Sequence, residues 1–164
     1  MLPRSSSPAR PSTDALNMTS GSAEATRELA GRLAAAAEPG DLIALIGDLG
    51  AGKTQFAKGF AAGLGVTGTV NSPSFVLMAE YAGRMPLFHL DLYRLADGPE
   101  ALAAGLLDER QAEGVTLIEW AERLGSALPM ERLEVRIDGT GDEPRTIGLI
   151  ASSPLLRRYL EVAA

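Results

Sequence analysis

The sequence predicts an α/β fold in which short buried strands are followed by helices. Leu42–Ile46 is an unbroken apolar run between breaker residues, as expected of a strand that is buried on both faces. A glycine-rich turn follows, and residues 53–64 then place Phe56, Phe60 and Leu64 four positions apart on one helical face. The 164 residues, 46% of them hydrophobic, are enough for one sizeable core and too few to suggest two.

A helix is predicted before the first apolar strand. Ser22 is a suitable N-cap residue, Glu24 falls in the first turn, and Leu29 and Leu33 share one face. Pro39-Gly40 is expected to end this helix.

Residues 76–81 and 87–93 are predicted to form a hairpin through Gly83-Arg84. In the second strand, Phe88, Leu90 and Leu92 alternate with a polar set, because strand side chains repeat every two residues. One face is expected to be core and the other to be available for function, and the polar set consists of His89, Asp91 and Tyr93.

The C-terminal half continues the alternation of strands and helices. A short helix is predicted at Pro99, buried strands at residues 115–118 and 133–137, and a further strand around residues 147–149. A terminal helix from about Pro154 is expected to bury four side chains, namely Leu155, Leu156, Tyr159 and Leu160.

The first eighteen residues are rich in proline and serine and cannot bury enough apolar surface to offset the entropy of ordering. We therefore predict a disordered tail over residues 1–20 and a single domain over residues 21–164. Arg4 and Arg10 in a serine-rich stretch faintly resemble a transit peptide, but three prolines oppose the amphipathic helix that such a peptide needs.

Composition excludes several classes of function. A net charge of -6 and a pI near 4.8 disfavour direct, stable binding of RNA or DNA. The chain contains no cysteine, which rules out disulfides, thiolate zinc sites and thiol nucleophiles. No apolar run approaches the roughly 20 residues that cross a bilayer, so we expect a soluble, cytoplasmic protein without a membrane partner.

The motif that indicates a binding function is G-D-L-G-A-G-K-T at residues 47–54, which fills every fixed position of the P-loop pattern. Glycines let successive N–H groups converge on phosphate oxygens, Lys53 reaches the terminal phosphates, and the Thr54 hydroxyl suits Mg²⁺. The segment therefore predicts binding of ATP with Mg²⁺. The residues expected to contact the nucleotide here are Asp48, Leu49, Gly50, Ala51, Gly52, Lys53, Thr54 and Gln55.

A P-loop site also needs an acidic group near the metal, at the end of a neighbouring strand. Glu119 follows one predicted strand and Asp91 lies at the end of another, so either could hold Mg²⁺ while the other orients the attacking water. The residues themselves leave this assignment open.

Two weaker candidates flank these groups. Ser72 and Ser74 lie after the P-loop helix, where many nucleotide hydrolases sense the terminal phosphate, although Asn-Ser-Pro is also an ordinary turn sequence. Trp120 could stack near the nucleotide, but a tryptophan beside a buried strand more often belongs to the core or to a partner surface.

Taken together, four motifs resemble the TsaE (YjeE) ATPases of bacterial tRNA threonylcarbamoyladenosine biosynthesis. They are G-D-L-G-A-G-K-T, V-N-S-P-S-F, H-L-D-L-Y-R and I-E-W-A-E, in that order over roughly residues 22–150. The resemblance implies a P-loop NTPase fold with a mixed, partly antiparallel central sheet flanked by helices.

The resemblance also implies a Mg²⁺-dependent ATPase that works with the TsaB and TsaD proteins on adenosine 37 of tRNA and does not itself perform the transfer. It implies that Lys53 and Thr54 bind phosphates and Mg²⁺, that Glu119 is the metal carboxylate and that Asp91 is the hydrolytic one. Contact with tRNA would then be indirect, through the partner complex.

The chain departs from the family pattern at two positions. Ser74 stands where threonine is usual and keeps the hydroxyl, and Ala121 stands where proline is usual and loosens the turn after the strand. Two other functions stay open, a small-molecule kinase and a non-catalytic nucleotide-gated adaptor. The kinase would need an acceptor pocket and a lid, and the sequence has no arginine-rich lid segment.

Overall fold

A computed structural model describes residues 14–73, 77–95 and 109–164. Seven strands form one sheet in the order β1-β7-β6-β2-β5-β4-β3. The strands are β1 Asp14–Ser20, β2 Leu42–Ile46, β3 Met78–Ala82, β4 Pro86–Asp91, β5 Val115–Glu119, β6 Leu133–Asp138 and β7 Arg145–Ala151.

The centre of the sheet is parallel and both of its sides are antiparallel. Strand β2 pairs in parallel with β5 and β6, and β5 pairs in parallel with β4. Strands β7 and β1 continue one side in antiparallel fashion, and the β3–β4 hairpin closes the other. The prediction of a mixed, partly antiparallel sheet flanked by helices is confirmed.

Three α-helices are described, α1 Ala23–Ala34, α2 Lys53–Gly63 and α3 Arg157–Ala163. The predicted cap of α1 is confirmed, because the Ser22 hydroxyl accepts a hydrogen bond from the Ala25 N–H at 3.0 Å. Helix α1 ends before Pro39-Gly40. Two arginines satisfy carbonyl groups at this end, since Arg84 donates to Ala34 and Ala37 and Arg158 donates to Ala36.

Apolar side chains fill both sides of the sheet. The larger cluster lies between the sheet and the three helices, and includes the predicted face of α2 with Phe56, Phe60 and Leu64. A smaller cluster on the opposite side joins Phe88 and Leu90 to the 3-10 segment Ala121–Ala127. Strand β4 is therefore buried on both faces, and its polar residues are enclosed rather than surface-exposed.

The prediction of disorder through residue 20 is wrong for Asp14–Ser20, which form strand β1. Leu16 and Met18 alternate with exposed residues, and the backbone pairs with β7 along the whole strand. The composition of this region predicted disorder wrongly for these seven residues, because the prolines and most of the serines precede them. Residues 1–13 lie outside the described part of the chain.

The terminal helix differs from its prediction in one side chain. Leu156 and Tyr159 are buried and Leu160 packs against the core, but Leu155 is 71% exposed. A 3-10 turn over Pro154–Leu156 precedes α3 and directs Leu155 outward. The helix predicted at Pro99 lies outside the described residues.

Within residues 14–73, 77–95 and 109–164, no helix combines the length and apolar composition needed to cross a bilayer.

Candidate functional site

The predicted phosphate-binding segment connects the end of β2 to the start of α2. Gly50 and Gly52 have φ angles of 81° and 115°, in the left-handed region that favours glycine. Gly52 is the N-cap of α2 and provides no side-chain cap, so the first N–H groups of the helix are not capped by a side chain. The helix start can therefore offer these donors to an anion.

Lys53 is almost fully buried, with 5% of its surface exposed. Its Nζ donates to the carbonyl oxygens of Gly47 and Asp48, the latter at 2.9 Å, and lies 4.1 Å from the centroid of the Trp120 ring. Burial lowers the pKa of Lys53, although nearby carboxylates, first that of Glu122, act in the opposite direction. The ammonium group thus lies folded back on its own loop.

Thr54, Glu119 and His89 form a chain of hydrogen bonds beneath this loop. The Thr54 hydroxyl donates to Glu119 Oε1 at 2.9 Å, and Glu119 Oε2 lies 2.6 Å from His89 Nε2. His89 is fully buried and Glu119 is 2% exposed. Glu119 ends β5, one strand away from the P-loop, so the parallel pairing of β2 and β5 accounts for its closeness to Thr54.

Asp91 ends β4 and is the in-register neighbour of Glu119 across the sheet. Its carboxylate accepts hydrogen bonds from the Ser72 hydroxyl and, at 2.9 Å, from the Tyr93 N–H. The strand order therefore brings both predicted carboxylates and Ser72 to one edge of the sheet. Ser74 lies outside the described residues.

An aromatic pair forms part of the wall of the site. The rings of Trp120 and Tyr93 lie 5.0 Å apart, and the Arg123 guanidinium is 5.8 Å from the first and 5.9 Å from the second. Trp120 has a φ of 58°, uncommon for a residue with a side chain, and this turn directly after β5 puts its ring over Lys53.

These groups surround a hollow of about 340 Å³ at the carboxyl ends of the parallel strands. Its lining contains most of the predicted site residues and also Tyr93. The lining residues are Leu49, Gly50, Gly52, Lys53, Thr54, Gln55, Ser72, Asp91, Tyr93, Glu119 and Trp120.

Two residues that were predicted to contact the nucleotide lie outside this hollow. Asp48 and Ala51 do not line the 340 Å³ hollow, although Asp48 contributes the carbonyl that accepts from Lys53. Ala51 lines a second hollow of about 310 Å³, which meets the first at Gly50, Gly52 and Gln55.

Sequence analysis placed His89 and Tyr93 on the polar face with Asp91 without giving either residue a role, and it missed Arg123. The two-residue spacing of His89, Asp91 and Tyr93 was the signal for this shared face, and the structure places the first two in β4 and Tyr93 two residues beyond its end. No local pattern distinguishes Arg123, because its place beside Trp120 depends on the turn after β5.

The described residues contain no group of three or more histidine, cysteine, aspartate or glutamate side chains that could hold a metal ion. Thr54 and Glu119 still fit Mg²⁺, since this ion needs only one or two protein oxygens when phosphate and water complete its shell.

A comparison with protein families matches residues 20–147 to the family model described as threonylcarbamoyl adenosine biosynthesis protein TsaE. The tRNA threonylcarbamoyladenosine biosynthesis protein TsaE of Bacillus subtilis is 49% identical over 129 residues, covering 78% of this chain and 80% of that protein. The Haemophilus influenzae protein of the same description is 43% identical over 116 residues, or 70% of this chain and 72% of its own length.

A solved structure agrees with these matches. The crystal structure of Bacillus subtilis YdiB superposes with a TM-score of 0.75 at 39% identity, covering 92% of this chain and 95% of that one. The chain therefore belongs to the TsaE family of threonylcarbamoyl adenosine biosynthesis proteins and has its P-loop NTPase fold.

Proposed function

We propose that this chain binds and hydrolyses ATP with Mg²⁺, and that it does so in support of the threonylcarbamoyladenosine modification of adenosine 37 in tRNA. It would act on the TsaB-TsaD complex and would not perform the transfer. The observation that carries the proposal is the convergence of Lys53, Thr54, Asp91 and Glu119 at one hollow beside a glycine-rich helix start.

The phosphate chain of ATP would lie against the start of α2. Uncapped N–H groups and the positive end of the helix dipole favour an anion there. Lys53 would exchange the carbonyl oxygens of Gly47 and Asp48 for oxygens of the terminal phosphates, a gain for a buried ammonium whose pKa is already lowered by desolvation.

Thr54 and Glu119 would hold the metal, the threonine directly and the carboxylate directly or through water. Bound Mg²⁺ would supply charge neutralisation at the phosphate oxygens. His89 keeps the Glu119 carboxylate turned toward Thr54, because its Nε2 occupies the second carboxylate oxygen.

Asp91 would orient the attacking water or accept its proton. Its oxygens accept from Ser72 and from the Tyr93 N–H, so departure of the Ser72 hydroxyl would open a further acceptor position on one carboxylate oxygen for that water. The released hydroxyl could donate to the terminal phosphate. This exchange would link the loop after α2 to the nucleotide state.

The nucleoside end of ATP would extend toward the second hollow. This hollow lies on the other side of the P-loop and includes Thr26 of α1 and the turn at Gly141. The two hollows meet at the P-loop, where both are lined by Gly50, Gly52 and Gln55, so a ligand bound in one would extend into the other.

The experiment that tests this function compares ATP hydrolysis by the chain alone with hydrolysis after addition of TsaB and TsaD. We expect a slow rate alone and a marked increase with both partners. An acceptor metabolite that drew the phosphate from ATP would indicate a kinase instead. Binding of ATP with no turnover under any of these conditions would indicate a nucleotide-gated adaptor.

A further inference from the structure

An arginine that is distant in sequence binds the P-loop on the side of the 310 Å³ hollow, which is called its outer side below. Arg145, the first residue of β7, donates from Nε to the Ala51 carbonyl at 3.0 Å and from Nη2 to the Gly50 carbonyl at 3.3 Å. The same guanidinium donates to the carbonyls of Gly141 and Glu143 in the turn before β7. One planar group therefore connects the P-loop to a separate strand.

The direction of these bonds follows from peptide geometry. In a trans peptide the C=O and the N–H point to opposite sides. The Ala51 carbonyl belongs to the same peptide as the Gly52 N–H, so a donor that fixes this carbonyl on the outer side turns the Gly52 N–H away from it. Arg145 lines the second hollow and not the hollow that contains Lys53 and Asp91, so the Gly52 N–H faces away from the guanidinium.

Fixing the conformation of the P-loop costs conformational entropy, which such a restraint reduces. Gly50 and Gly52 adopt φ angles of 81° and 115°, and glycine loses more conformational freedom than any other residue when one conformation is imposed. Within the loop, the Ala51 N–H bonds to the Asp48 carbonyl at 3.0 Å. The guanidinium adds two further bonds to consecutive carbonyls, and thereby lowers the entropy that remains to be lost when phosphate binds.

We propose that Arg145 is a positioning residue that holds the P-loop in its phosphate-binding conformation through the backbone carbonyls of Gly50 and Ala51. It acts on the phosphates through the loop and not by touching them. This inference rests on the proposed binding of ATP phosphates by the P-loop.

The test uses the Arg145→Met and Arg145→Lys variants of the full chain, with Mg·ATP, Mg·ADP and inorganic tripolyphosphate as probes in binding titrations. We expect Arg145→Met to weaken all three by about tenfold, the factor for losing roughly one hydrogen bond to a charged group. Lysine should restore part of the affinity, because it keeps the charge but not the planar fork. If ATP binding fell while tripolyphosphate binding did not change, Arg145 would act on the nucleoside end and the proposal would be overturned.

Amide hydrogen exchange in the nucleotide-free protein provides a second measurement. Arg145→Met should speed exchange at residues 50–53 while leaving the central strand β2 unchanged, and unchanged exchange at the loop would overturn the proposal. This measurement needs no ATP, so it tests the role of Arg145 even if the wild-type chain fails to bind nucleotide. Failure to bind nucleotide would contradict the proposed function and not the effect of Arg145 on the loop. Arg136→Met is the matched control, because Arg136 is 54% exposed and pairs with Glu134 on β6.

Discussion

At the scale of single residues, Lys53 combines burial, a lowered pKa and contacts to its own loop. Such a cation is costly in the free protein and becomes favourable when an anion enters. Its present partners are backbone carbonyls, which a phosphate oxygen can replace.

We predict that Lys53→Ala weakens binding of Mg·ATP by roughly tenfold or more, because one hydrogen bond between charged groups contributes about 1.5–3 kcal/mol. A calorimetric titration measures the effect, with Lys58→Ala as control. Lys58 lies on the same helix, makes the same change in charge and does not line the hollow at the P-loop. Wild-type affinity in Lys53→Ala would remove this lysine from the phosphate site.

The role proposed for Asp91 differs from that of Lys53, because it concerns hydrolysis and not binding. We predict that Asp91→Asn preserves ATP binding but lowers hydrolysis measured with TsaB and TsaD present, by about a hundredfold if the carboxylate acts as a general base. Asp138→Asn is the control, since Asp138 also ends a strand but has an exposed side chain. An unchanged rate would exclude Asp91 from the mechanism.

At the scale of secondary-structure elements, α1 and α2 cross so closely that glycine is required at their contact. A Cβ atom added at Gly59 would lie 2.2 Å from the Arg27 carbonyl oxygen of α1, well inside van der Waals contact. The position of α2, and with it the proposed phosphate site at its start, depends on this approach.

We predict that Gly59→Ala destabilises the protein by about 1–3 kcal/mol, because the two helices must separate to accommodate the methyl group. This outcome opposes the usual helix preference for alanine over glycine of roughly 1 kcal/mol. Chemical denaturation measures it. Gly31→Ala, from the same contact, should be neutral or stabilising by up to roughly 1 kcal/mol, since its Cβ would lie 3.4 Å from the nearest atom, the Gly59 carbonyl oxygen, and the helix preference for alanine applies there. A stabilising Gly59→Ala would contradict this account of the helix contact.

Helix α3 is attached to the body of the protein by a polar cluster around Asp41. Its carboxylate accepts hydrogen bonds from Arg158, from the Tyr159 hydroxyl and, at 2.9 Å, from the Glu38 N–H. Burial, followed by the hydrogen bond to Asp41, raises the pKa of Tyr159 above its ordinary value of 10.0.

This raised pKa makes the attachment of α3 sensitive to alkaline pH. Above pH 10 the unfolded chain releases the tyrosine proton and the folded chain keeps it, so the unfolded state binds fewer protons and stability falls as pH rises. We expect the wild type to lose about 1 kcal/mol per pH unit above pH 10 relative to Tyr159→Phe. Denaturation curves between pH 9 and about 11 measure the difference; parallel curves for the two proteins would show that Tyr159 does not titrate differently on folding.

At the scale of the whole molecule, the acidic charge of -6 agrees with the proposal that this chain meets tRNA only through a partner. The proposed coupling is mechanical. Binding of ATP would release Ser72 from Asp91 and change the contacts of that segment, shaping a surface for the partner, and hydrolysis would reverse this change.

We predict that ATP and ADP produce different affinities of this chain for the TsaB-TsaD complex. They should also produce different hydrogen-exchange protection in the segment at Ser72 and in the β3–β4 hairpin. Pull-down titrations and exchange mass spectrometry with a non-hydrolysable ATP analogue test this, and strand β6 provides an internal control. Equal affinity and equal protection in the two nucleotide states would reject the coupling.

The sequence by itself determined the features whose causes are local. Glycine spacing predicted the turn before α2, the apolar run predicted β2, and Ser22 predicted the start of α1, because each depends on residues within a few positions of one another. The disorder predicted from composition was wrong at β1, since that strand is stabilised by backbone pairing with β7, which comes from the other end of the chain.

Only the tertiary structure decided which distant groups meet. The order of parallel strands brings Glu119 to Thr54 across 65 positions and to His89 across 30. The antiparallel β7 brings Arg145 to Ala51 across 94 positions. No periodicity within a segment encodes such contacts, because strand pairing and the packing of one buried face against another determine them jointly.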